Sequence, residues 1–161
     1  NFNKILVDNT IITNLLNRVK IRNISTLIKS KIYDPYVIKE GETAESIAEG
    51  YYGSTTYFWL VLFSNDIVNV YEQWPKETET FNNFIINKYG SLEWALTNTH
   101  HYEDVDGDII SEESWNGDLS KRISYFDYEV GLNDAKRSIN LIRDIYKNQI
   151  SKEFYSLLQG Q

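Results

Sequence analysis

Residues 57 to 63 read Tyr-Phe-Trp-Leu-Val-Leu-Phe, seven apolar side chains without interruption. Ser54, Thr55 or Thr56 ahead of the run can cap a helix, and Asn65-Asp66 behind it can end one. A helix that is apolar on nearly all sides has to be covered on more than one side. The run therefore demands a second layer from elsewhere in the chain. With 161 residues the chain can supply it. A protein of this size removes roughly 70% of its unfolded surface from water and needs no staples. The same run is too short to cross a membrane, which takes about 20 apolar residues.

The flanking sequence predicts the elements that could form this layer. Tyr36-Val37-Ile38 is β-prone, and Lys39-Glu40-Gly41-Glu42 is a turn. Thr43 is a good N-cap for a helix whose Ala44, Ile47, Ala48 and Tyr51 share one apolar face. Gly53 fits its left-handed end. Asp34-Pro35 marks a boundary before this stretch. Upstream, Asp8, Asn9 or Thr10 can cap a short helix through Leu15, Leu16 and Val19. A partly extended, basic arm follows, with Lys20, Arg22, Lys29 and Lys31 among apolar residues.

Downstream, residues 67 to 76 read as irregular, with Trp74-Pro75 as an anchored corner. Thr78 or Thr80 starts a helix through Phe81, Phe84, Ile85 and Tyr89, ended by Gly90, and Ser91 caps a shorter one containing Trp94. Residues 99 to 111 predict a hairpin turning at Asp104, Asp106 and Gly107. Residues 112 to 124 read as a loop. Ile123 to Tyr128 alternates apolar and polar, and Gly131 breaks the pattern. Residues 133 to 143 suit helix or strand, and Asp144 can cap a last helix through Tyr146, Ile150, Phe154 and Leu157. The expected class is α+β, with an N-terminal arm (1–32), a compact module (33–76) and a helical and hairpin extension packing on it (77–161).

Composition narrows the function. The net charge of −7 argues against nucleic acid or an anionic membrane as partner, since both need a basic surface. There is no cysteine, so disulfides and thiolate metal sites are excluded. Aromatics reach 14%, with twelve tyrosines and four tryptophans, residues enriched where proteins meet proteins. No zincin, nucleophile-elbow, P-loop or dinucleotide motif is present. The two histidines, His100 and His101, are adjacent, and in a regular strand they point to opposite faces. An EF-hand register around Gly107 places Asp104, Asp106 and Glu113 correctly but puts Tyr102 where the first ligand belongs, so a hairpin turn is the better reading. Neither a cofactor nor a metal is expected, nor a catalytic residue.

Residues 36 to 66 resemble a LysM module, a βααβ fold that usually binds N-acetylglucosamine polymers. Tyr36, Gly41, Thr43, Ile47, Tyr52, Gly53, Trp59 and Asn65 carry the core and turn positions of that resemblance. The pattern departs at its end, where Val68 to Tyr71 and then Trp74-Pro75 replace the usual returning strand. Tyr52-Gly53, Tyr57-Phe58-Trp59, Asn65-Asp66-Ile67 and Trp74-Pro75, in that order, resemble a baseplate wedge family of T-even-like contractile-tail phages, the gene product 53 family, whose members carry a LysM-like fold. Lys88-Tyr89-Gly90-Ser91, His100-His101-Tyr102, Tyr128-Glu129 and Asn133 to Ile139 extend the resemblance towards residue 158.

The resemblance implies a structural virion protein. It would sit in the tail baseplate after assembly in the host cytoplasm, pack against other wedge and hub proteins, and help join wedges into a ring around the hub. Candidate contact residues are Lys20, Arg22 and Lys29 of the arm, Trp74, Trp115, Lys136 and Arg137. Two other readings compete. A glycan-binding LysM protein would bind chitin oligomers or peptidoglycan through residues 39–43 and 64–70. A peptidoglycan-cleaving enzyme would need a carboxylate pair that no motif here supplies.

Overall fold

The computed structural model describes residues 4–7, 10–13, 32–118 and 121–159. They form two compact units through which the chain passes more than once. The first holds strands β1 (Lys4–Val7) and β2 (Thr10–Thr13), the start of β3 (Tyr33–Val37), helices α1 (Ala44–Tyr52) and α2 (Phe58–Ser64), the end of β7 (Ser138–Ile142), and helix α7 (Asp144–Gln159). The second holds the turn after β3, helices α3 (Val70–Gln73), α4 (Thr78–Tyr89), α5 (Leu92–Thr97) and α6 (Tyr125–Asp134), and strands β4 (Thr99–Glu103), β5 (Ile109–Ile110) and β6 (Arg122–Ser124). The class is mixed α+β, as expected.

In the first unit, α1 buries Ala44, Ile47 and Ala48 of the face the sequence spacing predicts, but with Tyr52 rather than Tyr51, which is half-buried. Gly53 ends it at φ 77°, where a Cβ would be strained. The apolar run becomes α2. Leu60 and Val61 are fully buried on one side, while Phe58 is partly exposed at the helix start. Its other flank is covered by α7, where Phe154 stacks on Trp59 with ring centroids 4.5 Å apart and planes at 19°. Phe63 completes the cluster at 6.3 Å from both rings. The second layer demanded by the all-apolar helix is thus the C-terminal helix.

β3 pairs with β7. Arg143 N–H donates to Ile32 O at one end, and Ile38 N–H donates to Arg137 O at the other. Numbers rise on one strand as they fall on the other, so the pair is antiparallel. Several expectations are corrected here. Residues 67–76, read as irregular, hold a short helix, since Asn69 caps α3, and the strand that pairs with β3 is β7, drawn from the 133–143 segment that suited either state. Asp34-Pro35 lies inside β3 rather than at a boundary, on a two-stranded ribbon where a missing proline N–H can face an open edge. Thr10 to Thr13 is strand, not the start of a helix. Its four residues are all β-branched, which favours the extended backbone. The rest of that helix and the basic arm lie outside the described residues.

In the second unit, Phe81, Ile85 and Ala95 form a buried cluster, packed by Phe84, Tyr89, Leu92, Tyr125, Phe126 and Val130. Gly90 ends α4 and the Ser91 hydroxyl caps α5, both as predicted. The hairpin β4–β5 turns at Asp104, whose carboxylate accepts the N–H groups of Asp106 and Asp108 at 2.9 Å each. The supposed loop before 124 contributes β6, which pairs with β4. Of the alternating run 123–128 only Ile123 and Ser124 are strand, and the rest is helix. The Ser124 hydroxyl accepts Asp127 N–H at 3.0 Å and starts α6, and Gly131 lies within that helix. An N-cap signal outweighs a short alternation.

The histidine pair is a further correction. His100 Nδ1 and His101 Nδ1 are 2.7 Å apart, so the two rings meet. The register of β4 against β6 slips between Thr99 and His101. A bulge of this kind breaks the alternation on which opposite faces depend.

Candidate functional site

Three segments of the second unit are bonded to one another: the turn after β3, the corner 72–78 that contains Trp74, and residues 133–137. Trp74 is extended, as a residue before proline should be, and 91% of its surface is covered. Its indole Nε1 donates to Glu42 O at 2.9 Å. The turn that presents this carbonyl is fixed by its own side chains. Tyr36 OH donates to both carboxylate oxygens of Glu42 at 2.9 and 3.0 Å, Lys39 N–H donates to Glu42 Oε2 at 2.8 Å, and Gly41 takes φ 74°.

Arg137 binds this turn to the end of α6. Its Nε donates to Asp134 at 2.9 Å, its Nη2 to Glu40 at 2.7 Å and its Nη1 to Ile38 O at 3.3 Å. Glu40 also accepts Thr78 N–H at 2.6 Å and the Thr78 hydroxyl at 2.9 Å. A carboxylate distant in sequence thereby caps α4, whose own N-cap, Glu77, makes no side-chain cap bond. The Thr78 backbone N–H, then its hydroxyl, then the guanidinium hold the Glu40 carboxyl below its usual range. Asp134 foremost, with Glu40, raises Arg137. Lys136 reaches Glu72 O at 2.7 Å, and burial first, then the charge of Lys76, lowers its pKa.

Two groups that entered the sequence reading only through the family resemblance, with no role assigned, complete the unit. Asn133, buried, clamps one residue: Oδ1 accepts Lys76 N–H at 2.8 Å and Nδ2 donates to Lys76 O at 2.9 Å. Glu129, also buried, receives Lys88 Nζ at 2.6 Å and Tyr89 OH at 2.7 Å. Burial alone would raise its pKa. The Lys88 and Tyr89 bonds outweigh burial, and the carboxyl sits below its ordinary value. No local pattern pairs Lys88 with a residue 41 positions away, so only the fold reveals it. Chemically these carboxylates are acceptors for fixed donors, which makes the site a brace.

The other singled-out residues fall as follows. Trp115 is half-buried, its Nε1 donating to Asp118 O at 2.9 Å and its ring lying 4.8 Å from Tyr102. Lys20, Arg22 and Lys29 lie outside the described residues. Of the LysM-like positions, Thr43 directly precedes α1, Ile47 is buried, and Tyr52 OH donates to Ile142 O at 2.8 Å. Trp59 stacks on Phe154. Asn65 addresses β7 as another strand would. Its Nδ2 donates to Asn140 O at 2.9 Å and its Oδ1 accepts Asn140 N–H at 2.8 Å. Among the described residues no three His, Asp or Glu side chains are placed to hold a metal, and no helix is long and apolar enough to cross a membrane.

A family model described as base plate wedge protein 53 matches residues 3–116. The match takes in the N-terminal arm, which the sequence resemblance did not include. No curated protein matches the chain. The match spans well over half of the 161 residues, so the chain belongs to the base plate wedge protein 53 family and is a structural component of the phage tail base plate rather than an enzyme.

Proposed function

We propose that the chain joins base plate wedges to their neighbours and to one another around the central hub, using a LysM-like module as scaffold. The family match over residues 3–116 carries this reading. The order β3, α1, α2 and β7, with β3 against β7, supports the LysM-like part. In this proposal residues 33–76 supply one strand and both helices, and the closing strand comes from the extension 77–161. Residues 1–32 are an arm that reaches a neighbour, with Lys20, Arg22 and Lys29 as its contacts and Trp115 as a contact on the body. Trp74, Lys136 and Arg137 serve assembly indirectly, by fixing the brace.

Size-exclusion chromatography with light scattering tests the proposal, on the protein alone and mixed with the other base plate proteins of its source phage. A stable co-eluting complex is expected. Monomer in every mixture would overturn it, and retention on peptidoglycan in that case would favour the glycan-binding reading.

A further inference from the structure

Residues 66–73 hold apolar side chains outward on a backbone secured from both ends. Asp66 turns the chain at φ 57°, the one positive value outside glycine among the described residues. Asn69 Oδ1 accepts Tyr71 N–H at 3.1 Å and caps α3. Gln73 Oε1 reaches back to accept the N–H groups of Val68 and Asn69, each at 2.8 Å. Two ammonium groups close the other end, Lys76 Nζ on Tyr71 O and Lys136 Nζ on Glu72 O, both at 2.7 Å. A helix of four residues has no stability of its own. Here four side chains fix it.

What this ordering presents to solvent is apolar. Tyr71 is 89% exposed, Val68 73% and Val70 42%. Ordering these groups costs conformational entropy that their own burial does not offset. Groups already fixed lose less freedom on binding, and tyrosine is among the residues that dominate interface energies. The exposed charge on and just beyond this stretch, Glu72, Glu77 and Glu79, is acidic, while the two cations beside it, Lys76 and Lys136, are half-buried and keep their charge on backbone carbonyls.

We propose that residues 66–73 form a docking knob for a different base plate protein, one presenting an apolar pocket rimmed by Lys or Arg. Tyr71 is the anchor, Val68 and Val70 are the apolar surround, and the glutamates meet the basic rim. A symmetric pair of this chain is disfavoured, because it would set acid against acid. The inference rests on the base plate reading above.

The experiment compares the full chain with Tyr71→Ala, Val68→Asp and Glu72→Lys in titrations against the base plate proteins of the source phage. All three melt like wild type, since their side chains face solvent. Tyr71→Ala weakens the partner complex about tenfold or more, and Val68→Asp does the same or worse. Glu72→Lys weakens it and flattens its salt dependence. Unchanged binding by Tyr71→Ala and Val68→Asp would overturn the knob while leaving the base plate reading intact. Failure of the wild type to bind any base plate protein would remove both. Self-association of the chain alone, lost in Tyr71→Ala, would identify a second copy as the occupant and overturn the named partner.

Discussion

Asn133 shows how much one side chain can hold. Both ends of its amide are committed to the N–H and C=O of Lys76 in a buried setting. Asn133→Ala removes both bonds and leaves a peptide group to find other partners. The expected loss is about 2–3 kcal/mol, read as a lowered denaturation midpoint with an unchanged slope. Glu129 makes a different prediction. Its folded pKa is depressed, so it stabilises the fold above the ordinary carboxylate value, and that contribution disappears as pH falls through its folded pKa. Thermal melts should fall more between neutral pH and pH about 2 for wild type than for Glu129→Gln. Equal falls would remove the Lys88 and Tyr89 bonds from the account. Both residues stood in the family resemblance, but neither role was legible in the sequence, because a single polar residue looks the same whether it meets solvent or a distant partner. Arg137 was legible as a forked donor, but not that the fork closes on Asp134 and Glu40 of its own chain.

At the scale of elements, caps and periodicity carried most of the reading. Gly53, Gly90, Ser91 and the Asp104 turn all terminate or start elements where their chemistry says they should. The errors share a cause. The 67–76 stretch, read as irregular, the 123–128 alternation and the His100-His101 pair were each judged on a short pattern, and each was overruled by a single local feature: the Asn69 cap, the Ser124 cap and the bulge in β4. The all-apolar α2 correctly required a second cover but could not name α7 as its source. Trp59→Ala should therefore cost about 2–3 kcal/mol, somewhat below a fully buried aromatic, and Phe154→Ala a similar amount. The double variant should cost less than the sum, because both changes remove the same stack. Ile145→Ser, on the exposed start of α7, should change stability by no more than about 0.5 kcal/mol.

At the scale of the whole molecule, charge is unevenly shared. Residues 1–31 carry six Lys and Arg against one Asp, while the remaining residues carry ten against 22. A chain deleted of residues 1–31 should bind its base plate partners with a smaller salt dependence than the full chain, measured by titration at low and high ionic strength. An equal dependence would place the electrostatic contribution on the body instead. The pairing of β3 with β7 bears on how such a protein is made. Asn65 waits for Asn140, and Tyr52 waits for Ile142. A ribosome that has delivered both α1 and α2 must still translate more than seventy codons before the strand they close upon emerges. Until then Leu60, Val61 and Trp59 have no lasting cover, so the nascent chain is a client for chaperones, and a prematurely terminated product is one for proteases. The first unit therefore cannot close until β7 has been made, late in the order of synthesis.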